Sequence, residues 1–199
     1  VFILVANNFH ITPPVVFACL GYLAAVAAIY TLYRTGATAV TSNAAAIAAS
    51  DVVILAVPPT ALAEIARESG SSLDGKVVVD VANRPTPDPA GATGAIAEEL
   101  QALLPNAHVV KAFNTAFASR QADPTVGDVI ADGFVAGDDD ASKAKVMDLV
   151  SSIGFRPVDA GSLAASRTLE GMAWLNISRN LAGGTWQDAW VLLGPDSEN

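Results

Sequence analysis

The chain has 199 residues, 52% of them hydrophobic, and a formal charge of −9 from 20 acidic and 11 basic side chains. That length supports one domain with a sizeable core, and the acidic balance excludes a general nucleic-acid surface, which needs clustered Lys and Arg against phosphate. A lone cysteine, Cys19, excludes an internal disulfide and a multi-cysteine metal site; His10 and His108 are too few and too far apart to make one, so no metal is expected.

No Lys, Arg, Asp or Glu occurs before Arg34, and residues 15–33, VVFACLGYLAAVAAIYTLY, form an uncharged run of 19. That is near the ~20 residues a bilayer-spanning helix needs. Two other readings stand beside it: a core helix whose Ala18, Ala24, Ala25, Ala27 and Ala28 allow close approach to a sheet, or a segment that is not a native domain start. A dinucleotide fold opens on a G-x-G-x-x-G turn, and neither it nor a shortened version occurs in residues 1–50. The organisation expected is an atypical hydrophobic segment at 1–35, a dinucleotide-binding domain at 36–160, and a helical segment at 161–199 packed on that domain.

From residue 51 the chain alternates apolar runs with helical spacing. DVVILAV at 51–57 predicts a strand closed by Pro58 and Pro59. Leu62, Ile65 and Ala66 predict a helix over 60–68, stopped by Gly70. KVVVDVA at 76–82 predicts a second strand, closed by Asn83, Arg84 and Pro85. Ile96, Leu100, Leu103 and Leu104 share one face of a helix over 93–104, with Thr93 as its cap. VVKAF at 109–113 is a third buried strand, ending abruptly in Asn114 and Thr115, and ligands sit at such carboxyl ends in parallel sheets. GFVAG at 133–137 predicts another strand. Asp138, Asp139 and Asp140 suit the positive start of a helix over 141–153 carrying Val146, Leu149, Val150 and Ile153, which Gly154 ends before a last strand at 155–158. Leu169, Met172, Ala173 and residues 175–177 form an apolar helix, followed by Gly183, Gly184, Thr185 and Trp186. Strands alternating with helices predict an α/β fold of Rossmann type, a doubly wound and mostly parallel sheet with a helical C-terminal segment.

Taken in order, DVVILAVPP at 51–59, GKVVVDVANR at 75–84, KAFNT at 111–115, VAGDD at 135–139 and GFRPVDAGSL at 154–163 give the chain its family likeness. It resembles, over residues 36–194, the NADPH-dependent oxidoreductases that reduce the deazaflavin coenzyme F-420, whose fold is related to the amino-terminal domains of pyrroline-carboxylate reductases. The resemblance implies a cytoplasmic enzyme binding NADP(H) and moving hydride to or from a deazaflavin. Residues 1–35 depart from the family's first strand, glycine turn and first helix. VFILVANN at 1–8 corresponds instead to its second strand, which sets the glycine turn upstream of this chain and puts Asn7 and Asn8 where a cation facing the adenosine 2′-phosphate is expected.

Those positions also define the candidate site. Backbone at Ala56, Val57 and Pro58 and at Val81, Ala82 and Asn83 faces the ribose and nicotinamide, the prolines ending strand pairing so that carbonyls stay free. Asn114 and Thr115 bond the nicotinamide carboxamide or the acceptor ring, or serve as a local turn; Ala118 follows on the cofactor side. Arg84 and Lys111 are the cations nearest the tips, either one a partner for phosphate or for the acidic tail of a deazaflavin. Trp186, with Trp174 and Trp190, lines the acceptor site or packs as core or dimer contact. Asp159 and Glu170 pair with Arg156 or Arg167 on neighbouring turns, and no residue is assigned catalysis, because direct hydride transfer needs ring positioning and exclusion of water above all. The alternatives are an incomplete dinucleotide fold without cofactor, acting as an interaction or membrane-attached module, and a reductase of imines or ferric chelates. The partner expected is a small redox co-substrate, with a homodimer through the C-terminal helix.

Overall fold

The runs VVIL and VVVD carry no polar alternation, and such strands are stable only when helices cover both faces. The computed structural model describes residues 4–6, as backbone, 42–84 and 94–194. Its strands are β1 (Leu4–Ala6), β2 (Val52–Leu55), β3 (Val77–Asp80), β4 (His108–Ala112), β5 (Thr125–Val126), β6 (Val129–Ile130), β7 (Asp132–Gly137) and β8 (Arg156–Gly161). Its helices are α1 (Asn43–Ala48), α2 (Pro59–Ser69), α3 (Ile96–Leu103), α4 (Ala118–Ala122), α5 (Asp140–Ser152) and α6 (Ser166–Leu181).

Six strands make one sheet in the order β1-β2-β3-β4-β7-β8, with β5 and β6 as a separate hairpin. Side chains along a strand alternate between faces, and the core divides accordingly. Val53, Leu55, Val78 and Val109 pack with Leu62 and Ile65 of α2 and Ile96 and Leu100 of α3. Val52, Ile54, Val79 and Val110 pack on the other face with Val146, Leu149 and Val150 of α5. Each such side chain contributes roughly 1.5–3 kcal/mol on burial. Leu169 of α6 lies on Phe134 and Ala136 of β7. This is the α/β, Rossmann-type layering the alternation predicts.

Pairing is parallel for β2 with β3, β3 with β4 and β7 with β8, and antiparallel for β1 with β2 and β4 with β7. The reversal of β7 has a local cause: residues 113–131 hold only a five-residue helix and a hairpin, too little to form a helical crossover of the βαβ kind. Strand β1, within the segment 1–8, runs antiparallel to β2. Ala6 stands opposite Val52, at the amino end of β2, and an open sheet edge accepts a short extended segment in either direction. Asn7 and Asn8 lie outside the described residues, as do residues 15–33 and Thr93. No helix among the described residues is long and apolar enough to cross a membrane.

Helix ends follow capping chemistry, with one departure from expectation. Pro59 opens α2, where a missing N–H costs nothing. The Asp139 carboxylate accepts the Ser142 N–H at 2.8 Å, and Gly154, at φ 94°, closes the turn after α5. Gly70 is the carboxyl cap at which α2 stops, in a right-handed conformation with φ −51°, and the chain continues as a 3₁₀ turn through Ser72. Leu103 is exposed, because α3 ends there and Leu104 turns inward in its place.

Candidate functional site

Register brings the three predicted tips to one edge. Leu55 stands opposite Asp80, and Asp80 opposite Lys111, so Ala56–Val57–Pro58, Val81–Ala82–Asn83 and Phe113–Asn114–Thr115 all leave the sheet on the same side. Because β7 runs the other way, pairing Val135 with Ala112, its first residue Asp132 lies toward this edge too. Val57 and Ala82 are buried, Ala56 and Val81 half-buried, and Pro58 exposed.

Asn83 and Asn114 lock two tips together. The Asn83 Nδ2 donates to the Asn114 carbonyl at 2.9 Å, and the Asn114 Nδ2 donates to Asn83 Oδ1 at 2.9 Å and to the Leu169 carbonyl of α6 at 3.0 Å. Asn114 is 6% exposed, yet its Oδ1 is buried without a partner. Phe113, just before it, has φ 63°, a left-handed conformation that costs a non-glycine residue energy and gathers at functional sites. Gln121 of α4 props this turn, its amide donating to the carbonyls of Phe113 at 3.1 Å and Ala116 at 3.4 Å, and its Oε1 is also buried and unpartnered. Thr115 is buried and its carbonyl accepts from Asn176 at 3.5 Å. Ala118 is the exposed first residue of α4.

The two cations expected at the tips are committed elsewhere. Lys111 is fully buried on the face shared with Val109, where Nζ donates to Asp80 Oδ2 at 2.8 Å, Glu170 Oε1 at 3.2 Å and the Ala82 carbonyl at 2.5 Å. All three ammonium protons are spent, so Lys111 does not offer a charge to substrate. Arg84 donates to Glu99 Oε1 at 2.6 Å and to the Gly94 carbonyl at 3.1 Å. Sequence reasoning missed Asp80, although an acid inside one apolar strand and a base inside the next are the signature of a cross-strand pair.

Other ion pairs correct the expected partners. Arg156 forks onto Asp132, its register neighbour across β7 and β8, at 2.6 and 3.0 Å. Arg167 bonds Glu98, and Asp159 pairs with Lys143. Glu170 faces the sheet: besides Lys111 it accepts the Ile96 N–H at 2.8 Å. Burial pushes its carboxyl above the usual range, opposed by the Lys111 charge and the Ile96 N–H.

Of the three tryptophans, Trp190 packs in the cluster of Phe134 and Leu169, and Trp174 is half-buried. Trp186 is 43% exposed with φ 58°. It is held edge-on to Phe117, ring centroids 5.2 Å apart, while its backbone N–H donates to Asn180 Oδ1 at 2.5 Å and its carbonyl accepts from Ser119 at 2.8 Å. The tail beyond it returns to the tip edge, where Asp132 N–H donates to the Trp190 carbonyl at 2.9 Å and Leu192 N–H to Asp132 Oδ2 at 2.5 Å.

Three parallel strands with gathered carboxyl tips, helices on both faces and a strained polar turn at the last tip define a Rossmann-type dinucleotide fold. The family described as NADP oxidoreductase, coenzyme F420-dependent, matches residues 15–84, which include two of the tips. The chain is similar to that family of oxidoreductases over those residues. It is 31% identical over 140 residues to the F420-dependent NADP reductase of Methanocaldococcus jannaschii, covering 66% of this chain and 62% of that protein. It is 37% identical over 99 residues, 49% of the chain, to the metalloreductase STEAP3 of Rattus norvegicus, of which it spans 20%. The chain thus spans under two thirds of either relative. A crystal structure from Arthrobacter sp. FB24, described as an F420-dependent NADP reductase, superposes with TM-score 0.74 at 28% identity, covering 83% of this chain and 80% of that one.

Proposed function

We propose that this chain is an NADP(H)-dependent oxidoreductase exchanging hydride between NADPH and a deazaflavin of the coenzyme F-420 kind, with the nicotinamide seated against the tips of β2, β3 and β4. The observation that carries the reading is the buried, unpartnered Oδ1 of Asn114. A buried acceptor left unpaired costs roughly 1–3 kcal/mol, and a carboxamide N–H is the kind of donor that recovers it. The residues at the tips therefore fit the nicotinamide end of the cofactor; Asn7 and Asn8, assigned to its phosphate end, lie outside the described residues.

In this reading Asn114 would accept from the carboxamide, while Ala56–Val57–Pro58 and Val81–Ala82–Asn83 would supply the backbone wall beside it. NADPH, when bound, supplies the hydride. Buried Val57, Ala82 and Thr115 exclude water from that wall, which favours direct transfer over side reactions. Phe117, two residues beyond Thr115 in sequence, and Trp186 edge-on to it offer an aromatic surface suited to the flat ring of an acceptor. The test mixes protein, NADPH and oxidised deazaflavin and follows nicotinamide absorbance. Loss of absorbance is the expected result; no turnover with deazaflavin, flavin or imine acceptors overturns the reading.

Two specific observations support rivals. The likeness to the rat metalloreductase favours a ferric-chelate acceptor, which acceptor screening separates. Commitment of both Lys111 and Arg84 to carboxylates favours a dinucleotide fold without cofactor. Calorimetry decides, since micromolar NADPH binding excludes that rival.

A further inference from the structure

We propose that Glu170 and Lys111 act as positioning residues, a buried charge lock by which the C-terminal helix sets the strand-tip platform; the role in hydride transfer rests on the nicotinamide reading above. Both backbone groups of Ala82 are gripped by the lock. Its carbonyl accepts from Lys111 Nζ at 2.5 Å, and its N–H donates to Asp80 Oδ1 at 2.9 Å. Ala82 leads directly into Asn83, one half of the asparagine pair. Glu170 reaches in from α6, and the residue before it, Leu169, gives its carbonyl to Asn114. One turn of one helix therefore fixes two of the three tips, those of β3 and β4.

The chemistry of the lock argues for direction over bulk stability. Asp80 and Lys111 are fully buried and Glu170 retains 10% side-chain exposure, in a region where Val78 and Val109 show that apolar residues fit the same face. Apolar packing is non-directional, and replacing buried ion clusters by apolar residues is often neutral or stabilising. A lysine with three committed protons instead fixes three acceptors relative to one point. Glu170 extends the lock to α3 through the Ile96 N–H, so β3, β4, α3 and α6 meet at one pair of atoms.

The test compares wild type, Glu170→Ala and Glu170→Gln in the full chain by amide hydrogen exchange at Ala82 and Ile96 and by steady-state kinetics with NADPH and deazaflavin. Gln keeps an oxygen that accepts from both donors; Ala keeps neither contact. Expected for Glu170→Ala is faster exchange at both amides and a kcat lower by about tenfold to a hundredfold, as misplacement of about an ångström costs, with the KM for NADPH changed less than about threefold. Glu170→Gln should restore exchange and kcat to near wild type. The proposal is overturned if Glu170→Ala folds with Ala82 exchange unchanged, or if Gln and Ala lose kcat equally and in proportion to their unfolded fractions. Should wild type turn over no acceptor, the functional reading fails, and exchange at Ala82 and Ile96 still upholds or overturns the lock on its own.

Discussion

Asn114 has its amide orientation forced by its neighbours. Leu169 O and Asn83 Oδ1 are both acceptors, so Nδ2 must face them and Oδ1 is left over. Asn114→Leu keeps the branched outline with added bulk, and deletes that acceptor together with the two Nδ2 hydrogen bonds. NADPH affinity should fall about tenfold, the weight of one net hydrogen bond, as read by calorimetry; unchanged affinity would remove the nicotinamide from this tip. Lys111 makes a different prediction, about folding. Lys111→Met leaves Asp80 and Glu170 buried without their cation, a loss of roughly 3–5 kcal/mol. Urea unfolding checks it, and a variant as stable as wild type would mean that the carboxylates find water or protons. These two residues also divide what the sequence makes legible. Asn114 stands out because a polar pair ends an apolar run. The environment of Lys111 does not, since its partners come from a neighbouring strand and from a helix 59 residues away along the chain.

Elements were legible where burial dictates them. Strands β2, β3 and β4 and helices α2, α3 and α5 follow from runs and stripes whose apolar faces have nowhere else to go. The direction of β7 was not legible, because a short apolar strand reads alike in either orientation, and β5 and β6 are two-residue exposed strands below any periodicity. Glycines separate the same two situations. A Cβ at Gly133 in β7 would run into Val150 Cγ1 of α5 and the Phe155 side chain. Gly171, exposed in the middle of α6, has nothing within 4 Å of that position. Gly133→Ala should therefore destabilise by about 1–3 kcal/mol through overpacking. Gly171→Ala should stabilise by about 0.5–1 kcal/mol by restricting the unfolded chain. Paired thermal melts check both, and a stabilising Gly133→Ala would show that α5 yields to the strand.

Across the whole molecule, protonation couples these local arrangements to stability with opposing signs. The Arg167 hydrogen bond holds Glu98 below its usual range, the Ser142 hydrogen bonds do so for Asp139, and the Gly161 N–H with Lys143 does so for Asp159. A carboxyl that holds its proton more weakly when folded adds stability above its unfolded value and loses it as pH falls through the folded one. These three groups should therefore cost stability below about pH 4, the ordinary carboxylate range. Glu170 works the other way. Burial raises its folded value, so the folded chain binds that proton more tightly, and stability falls as pH rises from about 4.5 toward the raised value. The net charge of −9 adds self-repulsion over the same interval, so the two causes must be separated. Glu170→Gln removes the buried titration, whereas Glu64→Gln removes one charge at a site whose side chain is 67% exposed. Urea midpoints between about pH 4 and 8 should decline for wild type and for Glu64→Gln and stay flatter for Glu170→Gln. Equal slopes in all three would assign the decline to surface repulsion and leave Glu170 without a titrating role in the lock.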